Sequence, residues 1–270
     1  MSAAFIDATA VRVAQLLDLT GRRAVVTGGA QGLGRAIAAR LAEAGAAVAV
    51  ADLDLGRAEA AAAGLPTGSR ALGVRMDVTD SASVAEAAAR VEAKLGGIDI
   101  WINNAGIFPA VPVTQMSDET WEQVFAVNTR GVFHGSREAA RRMTGGGVIV
   151  NIVSTAGFRG TAPGLAAYVG SKHAVRGMTK QMALEFAPLG IRVLGVAPTF
   201  VPTEGNLAAA AAGAAALGDG PAPDMPVMTS SLIGRIGTPD DIARVVLFAA
   251  SDLASIMTGS TLLADAGQTI

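Results

Sequence analysis

The sequence predicts one α/β domain: a doubly wound parallel sheet of about seven strands flanked by helices. Three observations carry this. Short β-branched runs alternate with longer helical patterns along the 270 residues. The runs are nearly continuous in apolar residues, as strands covered on both faces must be. No linker-like stretch divides the chain. Strands alternating with helices build βαβ units, hence a parallel sheet with right-handed crossovers.

In chain order, RAVVT (23–27) is the first strand and the amphipathic segment 33–44 the first long helix; AVAVA (47–51) and ALGVRM (71–76) follow as strands. The helical pattern 82–95 leads to IDIWIN (98–103), and 119–143 leads to GVIVNIV (147–153). The helical pattern 166–187 precedes IRVLGVA (191–197), and 239–250 precedes STLLAD (260–265). Two regions stand outside this rhythm. Residues 1–19 form an extension whose Val11, Val13, Leu16 and Leu17 suit a helix lying on the domain 20–270. Residues 204–234 mix alanines with Gly218, Gly220, Pro221, Pro223 and Pro226, and are expected to form a lid over a site.

Composition narrows the function. A net charge of −2 gives no electrostatic footprint for nucleic acid or an acidic membrane. The absence of cysteine excludes disulfides, thiol nucleophiles and thiolate metal sites, and fits a reducing compartment. The first residues lack the basic and apolar regions of a signal peptide, and no run approaches the roughly 18 apolar residues of a membrane span. A cytoplasmic protein is expected, with no metal-ligand cluster. With 51% hydrophobic but only 4% aromatic residues, its core should combine aliphatic strands with alanine-rich helices.

VVTGGAQGLGRAIA follows the first strand and opens a helix, with Gly28, Gly32 and Gly34 spaced G-x-x-x-G-x-G around Gln31 and Leu33. Glycine is needed where the backbone turns tightly or where a pyrophosphate must approach amides without a Cβ in the way. The helix N-terminus supplies unpaired N–H groups and a partial positive charge. Asp52 ends the second strand, where a carboxylate would hydrogen-bond adenosine ribose hydroxyls. It would repel a 2′-phosphate, and no cation follows it before Arg57. The segment therefore reads as a Rossmann-type site for NAD in preference to NADP.

With these segments the chain resembles the short-chain dehydrogenase/reductase family in its short, single-domain form. The resemblance rests on TGGAQGLG (27–34), DV (77–78), NNAG (103–106), Asn128 in FAVNTRG, Ser154 in NIVSTAG and YVGSK (168–172), and covers roughly residues 20–267. It implies that Tyr168 is the acid/base, that Ser154 holds the substrate oxygen, and that Lys172 tunes the phenol and binds the nicotinamide ribose. Asn128 would anchor a water relaying protons from Lys172. Asp77 and Val78 would contact adenine, and Asn103, Asn104, Ala105 and Gly106 would lie beside the adenosine ribose. Pro198, Val201 and Thr203 would meet the nicotinamide carboxamide. A homotetramer using helices 119–143 and 166–187 is implied as well. A non-catalytic dinucleotide sensor would be expected to lose some of Ser154, Tyr168 and Lys172, yet all three are present.

Tyr168 is the only tyrosine, and Lys172 is one of three lysines. An unperturbed phenol near pKa 10 is a poor base at neutral pH; lowering it three units takes about 4 kcal/mol. Residues i and i+4 on a helix share a face about 6 Å apart, where opposite charges at an effective dielectric near 20 interact by about 3 kcal/mol. Lys172 is therefore expected to lower Tyr168. Its neighbour His173 points about 100° away and is assigned no role; His134 is treated likewise. In GTPDDIA (237–243), Thr238 as N-cap and Pro239 at the first helical position explain the acids better than a carboxylate pair does.

Two positions depart from the family pattern. Leu194 stands where Asn is usual, and Thr199 stands where Gly commonly follows Pro198. No Lys or Arg occurs between Arg192 and Arg235, so the expected small-molecule substrate is a neutral, fairly apolar alcohol or ketone, an acyl thioester being the alternative. Phe108, Phe158 and Phe200 are candidates for its pocket, with Leu207, Met225, Met228 and Leu232 on the lid.

Overall fold

The computed structural model describes residues 9–207 and 231–270. Seven strands, β1 (Arg23–Thr27), β2 (Ala47–Asp52), β3 (Ala71–Arg75), β4 (Ile100–Asn103), β5 (Gly147–Ile152), β6 (Ile191–Pro198) and β7 (Thr261–Ala264), form one sheet. Their order is β3-β2-β1-β4-β5-β6-β7, with every pairing parallel. The order reverses between β1 and β4. Connections leave in opposite directions there and open a crevice at the carboxyl ends of the strands.

The strands are apolar throughout because each face of the sheet has its own core. Val26, Val48, Val50, Ile100, Ile102 and Leu194 face α2 (Gly32–Glu43), α3 (Leu55–Ala63) and α8 (Pro239–Ala250). Val25, Ala49, Val74, Trp101, Ile149 and Val193 face α4 (Ser81–Leu95), α6 (Gly131–Arg142) and α7 (Ala166–Phe186). Neighbours such as Val25 and Val26 thus serve opposite cores, following the period of two of a strand. Leu194, fully buried in the first core, explains one family departure: the position is packing.

Four local outcomes differ from the sequence pattern. Helix α3 was not expected, since its GRAEAAAA run has weak polar alternation; Asp54 caps it by accepting from the N–H of Arg57 at 3.1 Å. The segment 119–143 is not one regular helix. It comprises α5 (Asp118–Phe125), a π-helical turn (Ala126–Arg130) and α6, and Asn128 sits in the π turn. Strand β4 begins at Ile100, two residues later than the pattern suggests; Asp99 just before it pairs its carboxylate with the Arg23 guanidinium at 2.5 and 2.6 Å. In the extension, only the single turn α1 (Val13–Leu16) is helical among the described residues; Val13 is exposed, and Leu19 is buried.

The α8 start follows its sequence signal: Asp241 N–H donates to Thr238 Oγ1, Asp241 carboxylate accepts from Thr238 N–H, and Pro239 takes the first helical position. No helix among the described residues is long and apolar enough to cross a membrane.

Candidate active site

The turn after β1 enters α2 under tight steric limits. Gly28 and Gly32 have φ of +60° and +52°, values that glycine adopts without the penalty of a side chain. A Cβ at Gly28 would lie 2.9 Å from Ala105 Cα, and one at Gly34 would lie 2.2 Å from the Gly28 carbonyl. A Cβ at Gly32 would press on Thr203 at 3.3 Å. The glycines are therefore imposed by the protein's own packing as well as by the approach of a ligand. Gln31, the N-cap of α2, makes no side-chain cap. The first amides of this helix line the cleft without that partner, an arrangement that suits a pyrophosphate.

Thr27 and Asn104 stitch this turn to the loop after β4. Thr27 Oγ1 accepts from the N–H groups of Asn104 (3.0 Å) and Ala105 (3.1 Å), while Asn104 Nδ2 donates to the carbonyls of Thr27 (2.9 Å) and Gly28 (3.0 Å). Asn104 thus shapes the turn with its side chain. Asn103 points away from the ribose position expected for it and into the core. Its amide bridges the Trp101 indole, Ser136 and Asn151, and Asn151 continues to Thr179 on α7. This buried, satisfied ladder ties the carboxyl ends of β4 and β5 to the helix that carries Tyr168.

Asp52 closes the far end. Its Oδ2 accepts from the N–H of Ala30 at 3.2 Å, which places the carboxylate beside the glycine turn. Asp77 folds its carboxylate onto the N–H and hydroxyl of Thr79, and the Val78 carbonyl lies 3.0 Å from His134 Nδ1. His134 therefore braces the wall formed by Asp77 and Val78. His173, by contrast, contacts only the Val169 carbonyl of its own helix in these hydrogen bonds.

At the other end, Ser154 follows β5 and caps a short 3₁₀ turn, accepting from the Ala156 N–H at 3.1 Å. The Ser154 hydroxyl also acts on the Tyr168 phenol, in the direction that favours its phenolate. Tyr168 lies in the first turn of α7, and Lys172, only 4% exposed, lies one turn on. The Lys172 ammonium donates to the Ile152 carbonyl at 2.8 Å and stands 5.6 Å from the phenol ring centroid. Burial pushes the phenol above its ordinary pKa, and the Ser154 bond opposes this only in part. Burial also lowers Lys172 to about 8. The expected lowering of Tyr168 by Lys172 is thus not the net result in the ligand-free protein. Spacing gives the attraction between the pair, but taking both groups out of water is the larger effect on each.

Asn128 is fully buried behind the cleft. Its Oδ1 accepts from the Ile107 N–H at 2.8 Å, and its Nδ2 donates to the Ile107 carbonyl (2.8 Å) and Ser171 Oγ (3.1 Å). Its amide holds the loop after β4 against α7, with Lys172 as the residue following Ser171. Thr203 caps the turn that follows it, accepting from the Asn206 N–H at 3.1 Å.

A cleft of about 780 Å³ joins these parts. It is lined by Gly28, Gln31, Gly32, Leu33, Gly34, Asp52, Asp77, Val78, Asn104, Ala105, Gly106, Ser154, Tyr168, Lys172, Pro198, Val201 and Thr203. Of the site residues read from the sequence, Asn128 and Asn103 do not line it. Ile107, Pro109, Gln123 and Val127 were missed, having no motif to mark them.

Of the three phenylalanines proposed for the pocket, only Phe108 lines the cleft, its ring edge-on to Tyr168 at 5.8 Å. Phe158 is instead covered by the Arg176 guanidinium at 3.9 Å, and Phe200 borders a separate recess. The proposed lid falls largely on residues 208–230, with Met225 and Met228, which lie outside the described residues. Leu207 and Leu232 at its flanks are exposed.

Comparison with known proteins agrees with this architecture. A family model described as "Enoyl-(Acyl carrier protein) reductase" matches residues 28–269. D-threitol dehydrogenase of Mycolicibacterium smegmatis is 40% identical over 259 residues, covering 93% of this chain and 94% of that protein. 2-(S)-hydroxypropyl-CoM dehydrogenase 3 of Xanthobacter autotrophicus is 38% identical over 249 residues, covering 90% and 95%. The crystal structure of a gluconate 5-dehydrogenase from Burkholderia cenocepacia, in complex with NADP and tartrate, superposes with a TM-score of 0.86 at 34% identity, over 96% of this chain and 99% of that one. A match of this length, on a sheet of this order, decides the question of kinship: the chain belongs to the short-chain dehydrogenase/reductase family.

Proposed function

We propose that the protein is an NAD(H)-dependent oxidoreductase interconverting a small, neutral, fairly apolar secondary alcohol and its ketone, with Tyr168 as general acid/base. The observation that carries this is the meeting of Ser154, Tyr168 and Lys172 at one end of a cleft whose other end is the glycine turn and Asp52. When bound there, nicotinamide supplies a hydride acceptor for the alcohol or a hydride donor for the ketone.

The chain's own residues do the rest. The Ser154 hydroxyl holds the substrate oxygen beside the phenol, so that one geometry serves binding and proton transfer. Tyr168 gives its proton to a ketone oxygen or takes it from an alcohol. Burial disfavours the phenolate and so reinforces the protonated phenol, the form that ketone reduction uses. Alcohol oxidation needs the phenolate, which the Ser154 hydrogen bond and the protonated Lys172 both favour.

Three features support the finer choices. Asp52 beside the glycine turn disfavours a 2′-phosphate, and the nearest following cation, Arg57, is engaged with Asp54 at 3.6 Å. Since the gluconate dehydrogenase binds NADP on the same fold, the preference for NAD rests on Asp52 and not on kinship. Among the described residues lining the cleft, Lys172 is the only cation, which favours an uncharged substrate over a phosphate or acyl-carrier thioester. Ile107, Phe108, Pro109 and Val127 give the lining an apolar component. The two dehydrogenases compared by sequence are named for hydroxyl-bearing substrates, consistent with this reaction class.

In this reading the protein acts in the cytoplasm as a homotetramer, with exposed Phe133 on α6 and Leu184 on α7 as association surfaces; sedimentation of the purified protein checks the stoichiometry. A panel of secondary alcohols and ketones assayed with NAD(H) and NADP(H) tests the function. Turnover is expected with NAD(H) and uncharged substrates; exclusive use of NADP(H) or of an acyl thioester would contradict the assignment.

A further inference from the structure

Thr199, the residue with which the chain departs from its family's usual glycine, is a wall between two spaces. On one side it lines the active-site cleft next to Pro198. On the other it lines a recess bordered by Phe200, Arg235, Asp265, Ala266 and Gln268. This recess holds only about 10 Å³, near the lower bound for a single water molecule.

The Thr199 hydroxyl donates to Oε1 of Gln268, a residue that lines the recess and not the cleft. A hydroxyl has one proton, and a β-branched side chain has few χ1 choices. The bond therefore turns Oγ1 toward Gln268 and fixes the rotamer of a side chain that borders the cleft. The Thr199 N–H donates to the Ala264 carbonyl at 3.4 Å.

Gln268 is itself firmly placed. It is 8% exposed, and its N–H donates to the Asp265 carbonyl at 3.1 Å. The Asp265 carboxylate closes the turn around it, accepting from the N–H groups of Gly267 (3.1 Å) and Thr269 (3.0 Å) and from the Thr269 hydroxyl (2.5 Å). Ala266 in this turn has φ of +55°, the only non-glycine residue at positive φ among those described. Such a conformation persists where the surroundings over-determine it. The Ala266 carbonyl also accepts from the Leu232 N–H at 2.9 Å.

We propose that the C-terminal turn Asp265–Thr269 shapes the reacting end of the cleft, with Thr199 the specificity-determining wall and Gln268 the positioning residue that holds it. This rests on the alcohol/ketone reading above and deepens it: the favoured substrates carry a small substituent, such as methyl, on the carbinol carbon. Thr199→Ala removes part of the wall, Thr199→Val keeps its shape without the hydroxyl, Thr199→Ser keeps the hydroxyl, and Gln268→Leu removes the acceptor.

The test combines steady-state kinetics on methyl, ethyl and propyl carbinols with thermal unfolding and amide hydrogen exchange over residues 199–203. Thr199→Ala should raise kcat/KM for propyl relative to methyl carbinols by about tenfold, the effect of a methylene-sized change in a pocket. Thr199→Val and Gln268→Leu should each lower kcat/KM on methyl carbinols by about three- to tenfold, the worth of one hydrogen bond. They should also quicken exchange over 199–203 and lower the Tm by only about 2–4 °C, while leaving the KM for NAD nearly unchanged. The double variant should be no worse than either single one, and Thr199→Ser should keep most of the activity. Unchanged carbinol preference in Thr199→Ala, or losses that multiply in the double variant, would overturn the proposal. Wild-type protein inactive on every alcohol and ketone would instead overturn the dehydrogenase reading, and the exchange data would still report whether Gln268 holds Thr199.

Discussion

The two ends of the cleft are built from different material. The end beside Asp52 is made chiefly of backbone: seven consecutive residues, 28–34, four of them glycine, form the turn and present helix amides. The reacting end is made of side chains from separate segments, Ser154, Tyr168, Lys172 and Thr199, with Gln268 behind them. The first end depends on the absence of atoms, since a single Cβ collides with the turn. The second depends on desolvation, which moves the protonation of Tyr168 and Lys172 in directions that spacing alone does not give.

If that contrast is right, the largest effect outside the reacting triad should come from adding one methyl group to the backbone-built end. Gly34→Ala must displace the Gly28 carbonyl, 2.2 Å from the new Cβ. We expect a loss of about 3 kcal/mol in urea unfolding, in the range of overpacked or strained sites. NADH titration followed by fluorescence should show affinity reduced at least tenfold; unchanged stability and binding would refute the tight turn. A side-chain change at the same end should act through charge and leave the fold alone. Asp52→Asn should shift the kcat/KM ratio toward NADP by about ten- to a hundredfold, as removal of one partly exposed like charge near a 2′-phosphate implies. An unchanged ratio would remove Asp52 from cofactor selection.

The smallest effect tests desolvation at the reacting end. Burial lowers Lys172 from 10.5 to about 8 in the folded protein. The unfolded chain therefore holds this proton more tightly. Lys172 costs stability below pH 8, and the cost is relieved as pH rises from about 8 to 10.5. In the cofactor-free protein, Lys172→Met should be more stable than wild type at pH 7 by about 2 kcal/mol, after allowing for the lost bond to Ile152. The gap should close toward pH 10.5, and urea unfolding at the two pH values reads it directly. A gap independent of pH would contradict a buried, destabilised ammonium.

The same contrast explains what could be read from the sequence. The strands and the glycine turn were legible because local chemistry dictates them: two-faced burial makes strands apolar, and a tight turn demands glycine at fixed spacing. Ser154, Tyr168 and Lys172 were legible through a family resemblance whose spacing reflects one helix face and one strand end. Asn128 was found, but its place behind the cleft was not, because a π turn leaves no clear periodic signal. Phe158 and Phe200 were misplaced because which wall an aromatic faces depends on packing among distant segments. The bond from Thr199 to Gln268 spans 69 residues and appears only once β6 and β7 lie side by side.

The central claim is that Tyr168 transfers the proton in a nicotinamide-dependent reaction. Its most direct test is Tyr168→Phe, assayed for alcohol oxidation and ketone reduction alongside titration of NADH binding. The account predicts that turnover falls by about a thousandfold or more, as expected when an acid/base group is removed, while NADH binds within about threefold of wild type and the Tm changes little. Turnover at the wild-type rate with the phenol gone would contradict it.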